Sequence, residues 1–197
     1  MKKFLLLSVL FTILAFSCYA QKPSIAFRLG GNYSNFSGSD AEELDLKGIW
    51  GGHGGVIITV PVVKNYVGIK TDIIYSMKGA ATEDDSLRIT LGYIDMPILG
   101  QLTAGPFYME AGPQLSFKVS DNFKNESGRT DLESINNSFK RTSLSYAAGA
   151  GIRIPAIGMS IGMRYNGDLS NLVDNIDDRE FRNSLLMLTT SFGIPSK

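Results

Sequence analysis

Apolar and polar residues alternate with a period of two along much of this chain, which indicates β-strands with two different faces. The alternation is plainest in residues 67–75 and 159–165. In the first segment one face would carry Val67, Ile69, Thr71, Ile73 and Tyr75, and the other Gly68, Lys70, Asp72 and Ile74. Such a strand separates an apolar surface from a polar one.

The same pattern predicts eight strands joined by two kinds of connection. The strands are expected at 24–33, 50–61, 65–77, 88–102, 106–118, 142–155, 157–166 and 184–194. Tight turns lie near 61–65, 103–106 and 155–157, whereas 34–49, 78–87, 119–141 and 167–183 are long polar segments. Short turns alternating with long loops are typical of outer-membrane barrels. The predicted fold is therefore an all-β, eight-stranded antiparallel up-and-down transmembrane β-barrel.

The N-terminus has the order of residues found in a cleaved secretory signal. Lys2 and Lys3 precede the apolar run 4–16, and small residues around Ala20 form a cleavage site. The run is shorter than the roughly 20 residues that a membrane helix needs. We expect a signal peptide at 1–20 and a barrel domain at 21–197; lipidation of Cys18 is an alternative. Any membrane span must then be a closed β-barrel, because lipid cannot satisfy an open sheet edge.

Alternation alone does not separate a membrane barrel from a soluble periplasmic calyx, which would turn its apolar face inward. Strand length and aromatic placement favour the membrane, since amphipathic rings collect at bilayer interfaces. We expect one rim to carry Phe27, Tyr66, Phe107 and Phe192, and the other Tyr33, Trp50, Tyr75 and Tyr165.

The fourth strand departs from strict alternation. Leu91 and Tyr93 are apolar in one register, but the apolar residues from Ile94 onwards follow the other. A β-bulge near Gly92 would reconcile the two registers and turn Asp95 inward.

Ionisable residues on the polar faces would point into the barrel. An eight-stranded barrel has an interior that side chains can fill, and buried charges there should pair. The alternative is a path for ions or solutes. The predicted lumenal polar network consists of Arg28, Lys70, Asp72, Asp95, Glu110, Lys118, Arg153 and Arg164.

Catalytic and cofactor chemistry has little support in the sequence. His53 is the single histidine, and no nucleophile motif accompanies it. Cleavage after Ala20 removes the single cysteine, so we expect no disulfide, metal or cofactor. Without Lys2 and Lys3 the chain has 17 basic and 19 acidic residues, and this near-neutral balance argues against nucleic-acid binding.

Five segments carry a likeness to a known family: GGNYSNF at 30–36, IYSMKGA at 74–80, YIDMPIL at 93–99, GPFYMEAG at 105–112 and MRYNGDLSNL at 163–172. In this order and spacing they resemble the PorT-like outer-membrane β-barrel family of Bacteroidetes. The resemblance implies delivery to the outer membrane of a Gram-negative bacterium by the barrel assembly machinery, and it implies no shared catalytic residues.

We therefore expect a non-enzymatic barrel with a structural, adhesive or envelope-assembly role through its extracellular loops. Its partners would be outer-membrane lipid, the assembly machinery and an envelope or extracellular protein bound by the loops. Two alternatives stay open: a membrane-embedded enzyme with a rim active site near His53, and a soluble periplasmic lipid-binding calyx.

Overall fold

The chain folds into a closed antiparallel barrel in which each strand pairs with its neighbours in sequence and β8 returns to β1. The computed structural model describes residues 23–37, 46–82, 87–125, 141–169 and 182–194; the predicted signal peptide at 1–20 lies outside this part. No helix among these residues is long and apolar enough to cross a membrane. The strands are β1 (Ser24–Ser37), β2 (Leu46–Val63), β3 (Val67–Thr82), β4 (Leu87–Ala104), β5 (Phe107–Asn125), β6 (Thr142–Ile154), β7 (Met159–Asp168) and β8 (Arg182–Gly193).

Three tight connections lie at one end of the barrel, which we call the turn end, as the sequence predicts. Asn65 and Gly105 have φ values of 67° and 59° in the β2–β3 and β4–β5 turns. A short 3₁₀ helix, Pro155–Ile157, joins β6 to β7 and ends at Gly158, which is also left-handed. Glycine and asparagine adopt this conformation more readily than other residues, so these turns can be short.

The strands run further toward the opposite end, the loop end, than the sequence predicts. β1 continues to Ser37, β3 to Thr82 and β5 to Asn125, so the predicted loops 34–49, 78–87 and 119–141 were drawn too long. The prediction ended each strand where the apolar residues ended. Paired strands are held by backbone hydrogen bonds, so they continue into polar sequence. The connections themselves, 38–45, 83–86, 126–140 and 170–181, lie outside the described residues.

The two faces of the wall differ as the alternation predicts. Leu29, Ile98, Met109 and Leu188 are exposed on the outside, whereas ionisable and hydroxyl side chains are buried inside. The soluble calyx is therefore wrong, because it requires the opposite arrangement. The expected aromatic residues are exposed near the two ends of the barrel, and Trp50, 76 % exposed, packs beside Tyr33 with ring centroids 5.3 Å apart and ring planes inclined at 58°.

The fourth strand corrects one sequence prediction. Leu91 and Tyr93 point inward together with Asp95, so β4 keeps one face throughout and has no bulge that changes its face. The irregularity near Gly92 lies instead in the partner strand: Gly92 pairs with Ser120 and Tyr93 with Lys118, which leaves Val119 as the extra residue of β5. The sequence error came from assigning every apolar residue to the outside, although this interior accepts some of them.

Candidate functional site

Five charged residues meet in the barrel interior and form what we call the central cluster: Arg28, Lys70, Asp72, Glu110 and Arg164. Arg164 Nε donates to Glu110 Oε1 at 2.8 Å, and its Nη1 donates to Asp72 Oδ2 at 2.8 Å. Lys70 Nζ donates to the other oxygen of Glu110 at 2.7 Å. Arg28 completes the cluster by donating to Asp72. All five were among the predicted lumenal residues.

The central cluster connects walls that are not adjacent. Its members come from β1, β3, β5 and β7, and each side chain is nearly inaccessible; Arg164 is only 2 % exposed. Removing such groups from water is costly, and the cost is offset only when each charge finds several partners. Arg164 supplies this by bridging both carboxylates, as a planar guanidinium can. The cluster therefore closes the middle of the barrel and holds opposite strands together.

Neutral polar groups extend the cluster toward β2 and β8. Arg28 Nη2 donates to Thr189 Oγ1 at 2.8 Å, and the same hydroxyl contacts His53 Nε2 at 2.8 Å. His53 is 5 % exposed and pairs in register with Gly30 and Ser76, midway along β1 and β3, so it lies inside the barrel and not at the rim. Its Nδ1 has no hydrogen-bond partner in the described part of the chain. The imidazole thus lacks the orienting carboxylate found in a catalytic triad.

A second charged pair, Lys78 and Asp95, lies nearer the loop end. Lys78 Nζ donates to Asp95 Oδ1 at 2.8 Å and lies 4.7 Å from the ring centroid of Tyr93. Ser76 donates to the other carboxylate oxygen. Asp95 was predicted to point inward, but Lys78 was assigned to a loop. Extending the alternation of β3 by two more residues past Ser76 would have found it, because Lys78 shares the face of Lys70 and Asp72.

Lys118 and Arg153 do not join the central cluster. Both lie on inward-facing positions, but Lys118 is half-buried near the loop end, where its backbone N–H donates to Arg141. Arg153 lines an open cavity at the turn end. The alternation shows on which face of the sheet a residue lies, but not how far along the barrel axis it lies. The sequence therefore could not distinguish Lys118 and Arg153 from the residues that meet in the central cluster. No group of three metal-binding side chains occurs within the described ranges.

The comparisons with known proteins agree with this architecture. Residues 19–194 match the family described as outer membrane protein beta-barrel domain. The chain belongs to this family. It is accordingly a protein of the outer membrane of a Gram-negative bacterium, with turns expected on the periplasmic side and loops outside.

Two solved structures show similar folds at low sequence identity. The Neisserial surface protein A, NspA, has a TM-score of 0.50 at 14 % identity and covers 87 % of this chain and 99 % of its own. Ail, the attachment invasion locus protein of Yersinia pestis, was solved with the heparin analogue sucrose octasulfate. It has a TM-score of 0.47 at 14 % identity, over 88 % of this chain and all of its own. No curated protein matches the chain.

Proposed function

We propose that this outer-membrane barrel is a non-enzymatic scaffold that displays its extracellular loops in a structural, adhesive or envelope-assembly role. The central cluster carries the proposal. Three cations and two carboxylates occupy the middle of the barrel, and the most exposed of the five, Lys70 and Glu110, are each only 6 % exposed. Such an interior supports the wall and leaves no continuous aqueous path through that layer. The surface free to act on other molecules is then the loops.

The position of His53 bears on the alternative of a rim active site. His53 is buried beside Arg28 and Thr189, away from the rim where a substrate would enter. A general base needs access to the proton that it abstracts, whereas His53 Nδ1 is buried and His53 Nε2 already contacts Thr189. We therefore do not favour the alternative of a rim active site.

Within the family, we propose the PorT-like group and the partners that this resemblance implies. These are the barrel assembly machinery, outer-membrane lipid and an envelope or extracellular protein bound through the loops. The support is the order and spacing of the five sequence motifs, which span 30–172. The exposed apolar wall supports the lipid partner directly, because it presents residues such as Leu188 and Met109 outward.

Planar bilayer recording tests whether the interior is closed. We expect no stable single-channel conductance from the wild type, because the central cluster fills the barrel cross-section. Arg164→Ala removes the bridging guanidinium and serves as the comparison. Reproducible wild-type conductance that Arg164→Ala abolishes or enlarges would make the lumen the functional site and contradict the scaffold proposal.

Loop replacement tests where the function lies. The longest connection between described strands, residues 126–140, is replaced by a Gly-Ser linker, and 170–181 is replaced in a matched control. Both variants should insert into the membrane, because connections that lie outside the paired strands tolerate such changes. We expect the first to lose complementation of a deletion strain in envelope-integrity and cell-attachment assays. Full complementation by a barrel lacking all four connections would contradict loop display.

A further inference from the structure

The barrel is open at its turn end, although its middle is closed. A cavity of about 610 Å³ begins at the turns and ends at Lys70 and Tyr108. We call it the vestibule. All eight strands contribute to its lining, and its volume is within the range of small-molecule sites. The central cluster closes the inner end of the vestibule, so a ligand enters the vestibule only from the periplasm.

The charged residues that line the vestibule are both cations. Arg153 and Lys70 line it, and no carboxylate is among the lining residues that the structure describes. Lys70 is already bonded to Glu110, which lies above and also holds Arg164. Arg153, in contrast, has no side-chain partner among the described residues. A cavity with an uncompensated guanidinium and no acid attracts anions.

Neutral polar groups also line the vestibule. Gln101 lines this cavity, and its side-chain amide has no hydrogen-bond partner within the described ranges, so the amide faces the open space of the vestibule. Ser191 is buried and lines the same space. An amide that faces open space without a protein partner can both donate to and accept from a bound ligand.

We propose that the vestibule is a periplasmic binding site for a small polar anion whose carboxylate or phosphate pairs with Arg153. The planar guanidinium can donate two parallel hydrogen bonds to either group. Gln101 and Ser191 bond the polar body of the ligand, and the Tyr108 ring supplies a wall. This site faces the opposite side of the membrane from the loops and is independent of the scaffold proposal.

Titration of the refolded barrel in zwitterionic micelles tests the site. The probes are an acetyl-capped tripeptide with a free C-terminal carboxylate and glycerol 3-phosphate; the neutral comparators are the amidated tripeptide and glycerol. We expect saturable NMR shifts at Gly105, Gly158 and Gly193 with an anion but not with its comparator. Saturation by only one probe identifies the ligand as a carboxylate or a phosphate.

Variants identify the residue responsible. Arg153→Gln should weaken binding about tenfold, the loss of one charge-assisted pair, and Arg153→Lys should weaken it less, because it keeps the charge. Lys47→Gln, an exposed cation near the loop end, should leave affinity within about twofold. No saturation by about 10 mM, equal binding of neutral comparators, or unchanged affinity in Arg153→Gln would each overturn the proposal. If Arg153→Gln fails to fold, the comparison of anionic probes with neutral comparators on the wild-type barrel still tests the proposal.

Discussion

At the scale of single residues, the inward-facing cations differ in whether they have a carboxylate partner. Arg164 and Arg153 both point inward from neighbouring strands, but Arg164 bridges Asp72 and Glu110, whereas Arg153 faces open space. Removing one member of a buried ion pair leaves the other charge without a partner in a poorly solvated place. The same substitution should therefore have very different effects at the two positions.

Arg164→Met should lower the free energy of unfolding by about 3–5 kcal/mol, because both carboxylates lose a buried donor. Arg153→Met is the matched control and should change it by less than about 1 kcal/mol. Equilibrium unfolding in urea measures both, with fluorescence of the single tryptophan, Trp50, as the signal. Equal losses at the two positions would show that the central cluster adds no particular stability.

At the scale of the strand, the sequence predicted the faces well and the ends poorly. Lys70, Asp72 and Ile73 occupy the faces that alternation assigns to them, because a period of two follows from the pleat itself. The end of β3 was missed because Lys78 lies in a polar stretch, where alternation no longer contrasts with the surroundings. The extra residue Val119 was missed because it depends on pairing with β4, which a single strand does not contain.

The face assignment predicts the effect of a new charge on either side of the wall. Ile73→Arg places a guanidinium on the outer surface of β3 and should cost about 2–4 kcal/mol if it lies near the bilayer midplane. Ser160→Arg faces the vestibule and should cost much less. Refolding titrations into phospholipid vesicles measure the difference. A larger loss for Ser160→Arg would reverse the assignment of inside and outside.

At the scale of the whole molecule, the fold followed from the sequence, but the arrangement of the interior did not. Strand number and turn positions come from local patterns, so they could be predicted. Which charges meet depends on barrel register, which brings Arg28 of β1 against Asp72 of β3 and Thr189 of β8. The vestibule likewise arises only when the eight strands close, so Arg153 was predicted as part of a network that it does not join.

Closure predicts an unusual resistance to detergent. The unheated protein should migrate faster than the boiled protein on SDS gels, because every strand in the barrel has both edges paired and detergent finds no free edge. Circular dichroism of the same sample should show β-structure before heating. Identical mobility of heated and unheated samples, in protein that is β-rich by dichroism, would argue against a closed barrel.

The barrel closes through the pairing of its first strand, β1, with its last strand, β8. Ala26 pairs with Gly193, and the backbone N–H of Ile194 donates to the carbonyl oxygen of Ile25, so one edge of β1 stays unpaired until β8 docks against it. Thr189 adds a side-chain bond to Arg28 across the same seam. Without β8 the sheet would have two unpaired edges, and the Arg28 guanidinium would lose its hydrogen bond to Thr189. Closure of the barrel at this seam is therefore all-or-none, because β8 is the strand that pairs with the free edge of β1.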